Sequence, residues 1–184
     1  MIPYSVAPHS FPPVFEDRVA MRRAEERDAE SIFEEYASDR EAVRFVTWRP
    51  PSEVRAVKEF LRSAADGWDR GDYLSWVLAE VANGRAIGMI TCRLGAHGAN
   101  IGYVLARRLW NRGIMTEAVS RIVSWASSQK EIYRIWAVCD VENTASVRVL
   151  EKAGMSREGL LRRWVIHPSL SSEPRDCFVY SQVK

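Results

Sequence analysis

The sequence predicts a single α/β domain on a mixed, mostly antiparallel sheet of six to seven strands flanked by about four helices. Three observations predict it. Strand-prone and helix-prone segments follow one another as β-α-α-β-β-β-α-β-α-β-β, with no internal repeat and no low-complexity linker. A strand–helix–strand unit over residues 101–139 has the form of a right-handed parallel crossover. The chain has 184 residues and 47% hydrophobic content, which suits one domain with a substantial core.

Each element has a local reason. Residues 1–15 carry Pro3, Pro8, Pro12 and Pro13 and predict an extended arm, lying on the domain or on a partner subunit in a homodimer; residues 16–184 form the domain. Residues 18–24 alternate and give a first strand. Asp28 is expected to open a helix with Ile32, Phe33 and Tyr36 at helical spacing. The stretch 42–51, AVRFVTWRPP, is irregular and closes on a proline pair. Ser52 is expected to cap a second helix with Val54, Val57, Phe60, Leu61 and Ala64 on its apolar face. Residues 73–81 and 86–94 are β-rich runs around Asn83-Gly84, a strong hairpin signal. A loop at 95–98 leads to the strand 99–105. The helix from Ile114 to about Ser128 buries Ala118, Val119, Ile122, Val123 and Ala126. Residues 132–139 form another strand, and Asn143 caps a helix that Gly154 ends. Strands near 157–166 and 175–183 complete the chain.

The totals exclude several functions. A net charge of +2 gives no nucleic-acid footprint, although the 26 basic residues are nearly all arginine, which suits bidentate phosphate contacts. Cys92, Cys139 and Cys177 lie far apart, with no Cys-x-x-Cys, so neither a metal site nor a disulfide framework is expected and a reducing cytoplasm fits. No leader pattern or membrane-spanning run is present, so the expected location is cytoplasmic. A dinucleotide fold is excluded by the missing Gly-x-Gly-x-x-Gly.

The chemistry concentrates in two windows. Residues 101–118, IGYVLARRLWNRGIMTEA, run from an apolar strand through an arginine-flanked turn into a helix. The first N–H groups of a helix are unpartnered and carry partial positive charge, so such a start seats phosphate. Gly113 allows close backbone approach, and Arg107, Arg108 and Arg112 add formal charge. The second window is 143–155, NTASVRVLEKAGM.

Together the windows resemble the GNAT superfamily of acyl-CoA-dependent N-acyltransferases, in the branch that includes the ribosomal-protein alanine N-acetyltransferases. Their pyrophosphate loop reads (Gln or Arg)-x-x-Gly-x-(Gly or Ala), and in that branch Trp-Gly-Lys-Gly-Tyr-Ala-Thr-Glu-Ala. Here the stretch is Trp110-Asn111-Arg112-Gly113-Ile114-Met115-Thr116-Glu117-Ala118. The second window matches the branch at Asn143, Ser146, Val149, Leu150, Glu151, Lys152, Gly154 and Met155. Asn111 stands where the first loop glycine is usual and Met115 where Gly or Ala is usual, which implies a tighter cradle.

The resemblance implies acetyl-CoA as cosubstrate, no metal, and a GNAT-like sheet whose two parallel strands splay apart to admit the pantetheine arm. By the same resemblance the N–H groups of Asn111, Arg112, Gly113, Ile114, Met115 and Thr116 would cradle the pyrophosphate. Tyr103, Val104 and Leu105 would bond the pantetheine through their backbones, with Val104 or Leu105 N–H facing the oxyanion. Asn143 would meet the cofactor as well as cap its helix. Ser146 would lie beside the sulfur as a candidate catalytic residue that binds or protonates the leaving thiolate; the tyrosine many relatives use four residues on is Leu150 here. Trp48, in the irregular stretch, falls where the acceptor site is walled, and Trp76 and Trp164 lie on strands that could face the same cleft. No general base is assigned, because Asn100 and residues 162–165 hold no carboxylate where relatives have one; His167 lies near. The expected reaction is acetyl transfer to a primary amine, a protein N-terminus or a small molecule, by direct attack in a ternary complex. The rival is a non-catalytic acyl-CoA sensor or scaffold.

Overall fold

The computed structural model describes residues 10–15 and 17–184. Eight strands form one sheet: β1 (Ser10–Val14), β2 (Val19–Arg23), β3 (Tyr73–Glu80), β4 (Ala86–Leu94), β5 (Gly98–Leu105), β6 (Arg134–Asp140), β7 (Ser156–Val165) and β8 (Arg175–Val183). They lie in the order β1-β2-β3-β4-β5-β6-β8-β7. Every neighbouring pair is antiparallel except β5 with β6. The helices are α1 (Ala29–Ile32), α2 (Val54–Arg70), α3 (Ile114–Ser128) and α4 (Thr144–Lys152). Helices α1 and α2 pack on one another and against β3 and β4, while α3 and α4 pack on one another and against β5, β6 and β7.

The seven strands read from the sequence are all present, and β1 is the eighth. The proline-rich arm is therefore partly sheet: Ser10 and Phe11 pair with Arg22 and Met21 of β2. Pro12 and Pro13 fall where the register with β2 shifts between Phe11 and Val14 of this edge strand, the kind of position that tolerates proline. Phe15 N–H then donates to Glu117 Oε2 of α3 at 2.8 Å, fastening the end of the arm to the domain. Residues 1–9 of the expected arm lie outside the described residues.

Two helix starts differ in detail from expectation. Asp28 stands at the cap position of α1, as expected, but makes no side-chain cap bond there and also ends a 3-10 turn (Glu26–Asp28) that leads into the helix. Its buried carboxylate is taken instead by both terminal nitrogens of Arg22 (2.9 and 2.6 Å) and by the N–H of Glu25, the cap residue of that turn. Helix α1 continues as a π turn over Phe33–Ala37, closed where Ser38 Oγ donates to the Phe33 carbonyl. At α2 the cap position falls to Glu53 rather than Ser52, without a side-chain bond.

The core is organised by Trp76 of β3, which is fully buried and takes edge-on contacts from Trp68 of α2 (5.0 Å), Trp125 of α3 (5.8 Å) and Phe11 of β1 (5.6 Å). Such pairs add to the area they bury. Trp76 is thus a core residue and does not face the cleft.

What positions the site is the parallel pair. Strands β5 and β6 pair only at Gly98–Arg134, Ala99–Ile135 and Asn100–Trp136. Beyond that point β5 runs on to Leu105 and β6 to Asp140 without pairing, and the sheet forks. At the crotch Asn100 Nδ2 donates to the Trp136 carbonyl at 3.2 Å.

Two outcomes test this account. Trp76→Ala should lower unfolding free energy in urea by about 3–5 kcal/mol, the usual penalty for emptying a buried Trp site. Glu158 of β7 is held down at about 2 by the Arg134 guanidinium of β6 and then by the Ser181 hydroxyl of β8. A depressed carboxylate contributes stability above its unfolded value, about 4.3, and loses it as pH falls through the folded one. In Glu158→Gln the urea midpoint should therefore vary less between about pH 4.5 and pH 2 than in the parent; parallel pH curves would show that the pair adds nothing.

Candidate active site

The fork exposes one edge of β5. Ala106 N–H donates to the Ile87 carbonyl of β4, and the Val104 carbonyl lies so close to Gly88 that a Cβ there would stand 2.8 Å from it. Because ladder groups alternate sides along a strand, the even-numbered residues turn to β4 and Tyr103 and Leu105 turn their backbone groups into the gap. Of the three backbone positions expected to line the fork, Val104 thus points the other way. The Leu105 carbonyl already accepts a bond from Trp110 Nε1 at 2.9 Å, which ties the following turn to the end of β5 and leaves the Leu105 N–H toward the gap.

That turn delivers the chain to the start of α3. Gly113 has φ +81, and the space a Cβ would occupy there is open to 4 Å, so its backbone presents an unobstructed face. Asn111 also adopts a left-handed conformation (φ +61), which Asn tolerates better than most residues, so it reproduces the bend that glycine would give. Ile114 and Met115 bury their side chains in the core and offer the turn only their N–H groups. Met115 therefore does not fill the cradle. Thr116 is partly buried, and its carbonyl accepts the Ser120 hydroxyl. Arg112 is exposed beside Gly113. Arg107 and Arg108 are not poised for a ligand: Arg107 pairs with Asp39 (3.0 Å), and Arg108 with Glu35 (2.9 Å) and Glu80 (2.8 Å).

Across the fork, Asn143 Oδ1 accepts the Ser146 N–H at 3.1 Å and caps α4, and Gly154 closes that helix at φ +86. The Ser146 hydroxyl lies 2.6 Å from the Tyr103 hydroxyl, so a side chain of β5 and one of α4 meet over the gap. Burial pushes the Tyr103 phenol above its ordinary value, which keeps it protonated and able to donate. Behind them, the buried Cys139 thiol is pushed up to about 12, first by burial and then by the neighbouring Cys177. A thiol pushed up in this way holds little of the thiolate that acts as a nucleophile at neutral pH. Among the described residues no three His, Cys, Asp or Glu side chains gather to hold a metal ion, and no helix is long and apolar enough to cross a membrane.

A strand fork closed by two helix starts has close counterparts. Residues 18–156 match the family model described as the acetyltransferase (GNAT) domain. The chain belongs to the GNAT acetyltransferases. It is 29% identical over 177 residues to an uncharacterized N-acetyltransferase of Bacillus subtilis, YoaA, with 95% of this chain and 98% of that one covered. The Mycobacterium smegmatis RimJ structure in complex with CoA-disulfide is 23% identical, with a TM-score of 0.79 over 90% of this chain and 81% of the other. The ribosomal-protein-S5-alanine acetyltransferase of Vibrio fischeri is 21% identical, also at 0.79, over 95% and 96%. This GNAT protein is accordingly an acyltransferase with the family's fold.

On the expected acceptor side the sequence points to Trp48, Trp164 and His167 but not to Asp140. Trp48 is exposed in the irregular stretch, and Trp164 is exposed in a bulge where Arg162, Arg163 and Trp164 of β7 stand opposite Asp176 alone. Arg163 takes φ +46 there, and its N–H is held by Asp176 Oδ1 at 2.8 Å. Asp140, at the tip of β6, is fully buried. Burial alone would raise its carboxyl, but Arg175 (2.6 and 3.2 Å) and the Glu142 N–H more than reverse this and hold it ionised. His167 is buried within 3.6 Å of that carboxylate. The side-chain donors of Trp110 and Tyr103 went unread although legible, since both residues sit in the first window and carry a donor at the end of an apolar ring; Tyr103 was read only for its backbone. Asp140 gave no signal, because its meaning depends on Arg175 thirty-five positions away.

Trp110→Phe keeps the ring and removes one hydrogen bond, worth about 0.5–1.5 kcal/mol, from the end of β5. Titration calorimetry should find acetyl-CoA binding about 2- to 10-fold weaker with the fold intact. Unchanged affinity would show that the Leu105 tether does not shape the site.

Proposed function

We propose that this GNAT protein moves an acetyl group from acetyl-CoA to a primary amine, a protein N-terminal α-amine before a small-molecule amine, by direct attack in a ternary complex. The observation that carries the reading is the Tyr103–Ser146 hydroxyl pair at the mouth of the fork. Acetyl-CoA brings the activated thioester, and the chain's task is to bind, orient and manage protons. The N–H groups from Asn111 to Thr116 hold the pyrophosphate at the dipole end of α3, with Arg112 beside them. The backbone of Tyr103 receives the pantetheine amides. When Tyr103 donates to Ser146 Oγ, the serine hydroxyl is free to donate outward to the departing sulfur, and the Leu105 N–H faces the developing oxyanion. Direct attack is supported by Cys139, whose thiol is buried and pushed up by that burial, so little thiolate is on hand to take the acetyl group. The preference for a protein N-terminus is supported by the likeness to structures described as a ribosomal L7/L12 alpha-N-protein acetyltransferase and a ribosomal-protein-S5-alanine acetyltransferase.

One observation favours the second reading, an acyl-CoA sensor: the carboxylate at the tip of β6, Asp140, is locked to Arg175 and offers an incoming ammonium no base. Mixing the protein with acetyl-CoA and a panel of Ala- and Ser-initiated peptides and small primary amines, while following free CoA, separates the two. The enzyme reading expects turnover with at least one acceptor. Ser146→Ala should then lower kcat by about tenfold or more at unchanged acetyl-CoA affinity, and Gly113→Glu should abolish acetyl-CoA binding. Binding without transfer to any acceptor makes the protein a sensor. No binding at millimolar acetyl-CoA withdraws both readings.

A further inference from the structure

His167 takes no part in holding acetyl-CoA, yet it is 3% exposed and its ring is engaged at both nitrogens. It lies in the β7–β8 connection, where its carbonyl accepts the N–H groups of Leu170 (2.8 Å) and Ser171 (2.9 Å), so the backbone that carries it is fixed. Ring Nδ1 stands 3.3 Å from the Val46 carbonyl, inside the irregular stretch 42–51. Ring Nε2 stands 3.6 Å from Asp140 Oδ2 and 3.9 Å from Cys177 Sγ. Phe45 of the same stretch meets the ring edge-on at 6.2 Å and 85°. Asp140 continues the connection: its carbonyl accepts the Asn143 N–H (2.9 Å), and Asn143 holds the Ser146 N–H. One imidazole therefore joins the stretch 42–51 to the strand end from which Ser146 departs.

The start of the stretch is anchored by fully buried Val43, by Ala42 against the core and by the Arg107–Asp39 pair. Its other backbone bonds among the described residues are local, Val43 to Asp39, Arg44 to Glu41 and Val46 to Val43. A carbonyl only accepts, so the Val46 contact requires the proton on Nδ1. Two edges of one ring thus perform two tasks, Nδ1 gripping the loop and Nε2 facing the sheet.

We propose that His167 is a positioning residue for the acceptor: through Val46 it holds the stretch 42–51, with Trp48 at its tip, at a fixed place relative to Ser146. That the stretch walls the acceptor site rests on the proposed function; the tether itself does not. The test uses the full chain and two variants. His167→Phe keeps the bulk and the Phe45 contact but removes both nitrogens. His167→Asn places an amide N–H where Nδ1 stands and preserves the grip on Val46. In His167→Phe, amides of residues 42–51 should exchange with deuterium about tenfold faster or more, while those of β3 and β4 do not. The KM for the best amine of the acceptor panel should rise several-fold at unchanged acetyl-CoA affinity, and His167→Asn should return both readouts toward the parent. Unchanged exchange in residues 42–51 of a folded His167→Phe overturns the tether. Faster exchange with an unaltered acceptor KM overturns the acceptor role of the loop, and an equal loss of acetyl-CoA affinity overturns positioning in favour of a general structural role. If the panel yields no acceptor, the enzyme reading falls and exchange alone decides the tether.

Discussion

The molecule depends on a sheet that stops pairing in its middle. A buried strand edge with unmet N–H and C=O groups costs about 1–3 kcal/mol for each group left without a partner, so a fork persists only where other groups compensate. Here the compensation is distributed. Asn100 seals the crotch, Trp110 takes the Leu105 carbonyl, and the Tyr103 and Ser146 hydroxyls close the mouth. What is left between them is the stretch where β5 and β6 run on without pairing to one another. The helix starts on either side follow from the same break, because β5 must turn outward into α3 and β6 must turn outward into α4.

The arginines near the fork serve that geometry more than they serve a ligand. Glu35, only 13% exposed at its side chain, receives both Arg85 and Arg108 at 2.9 Å, and Arg108 also reaches Glu80. Single pairs at a surface contribute little. This network instead spans the π turn after α1, the β3–β4 hairpin and the turn before α3, so it fixes where the cradle begins. The charge of Arg107 and Arg108 is engaged by carboxylates of the protein itself, and what the turn before α3 leaves unengaged is chiefly main chain and Arg112.

The same contrast explains how much of the molecule could be read from its residues. Helix α3 runs from Ile114 to Ser128 as its periodicity predicts, and α4 begins after Asn143 and ends before Gly154, because caps and apolar stripes are local facts. The hairpin at Asn83-Gly84 is local in the same way. The partners of Arg107 and Arg108 were not legible, because Asp39 and Glu35 lie about seventy positions away. For Trp76 the sequence left core and cleft both open, because alternation along β3 gives a face without saying what covers it; α2, α3 and β1 cover it. At the site, the residue types were legible from the two windows, whereas the meeting of Tyr103 with Ser146 required the fold to bring positions 43 apart within 2.6 Å.

The turn at the start of α3 divides its residues between two masters. Ile114 and Met115 send their side chains into the core, so their identity answers to the packing beneath them. What the turn presents outward is main chain, and its shape answers to two left-handed residues, Asn111 and Gly113. Spelling and shape are therefore separable here: a residue other than glycine at 111 and a large one at 115 leave the bend and the open face in place.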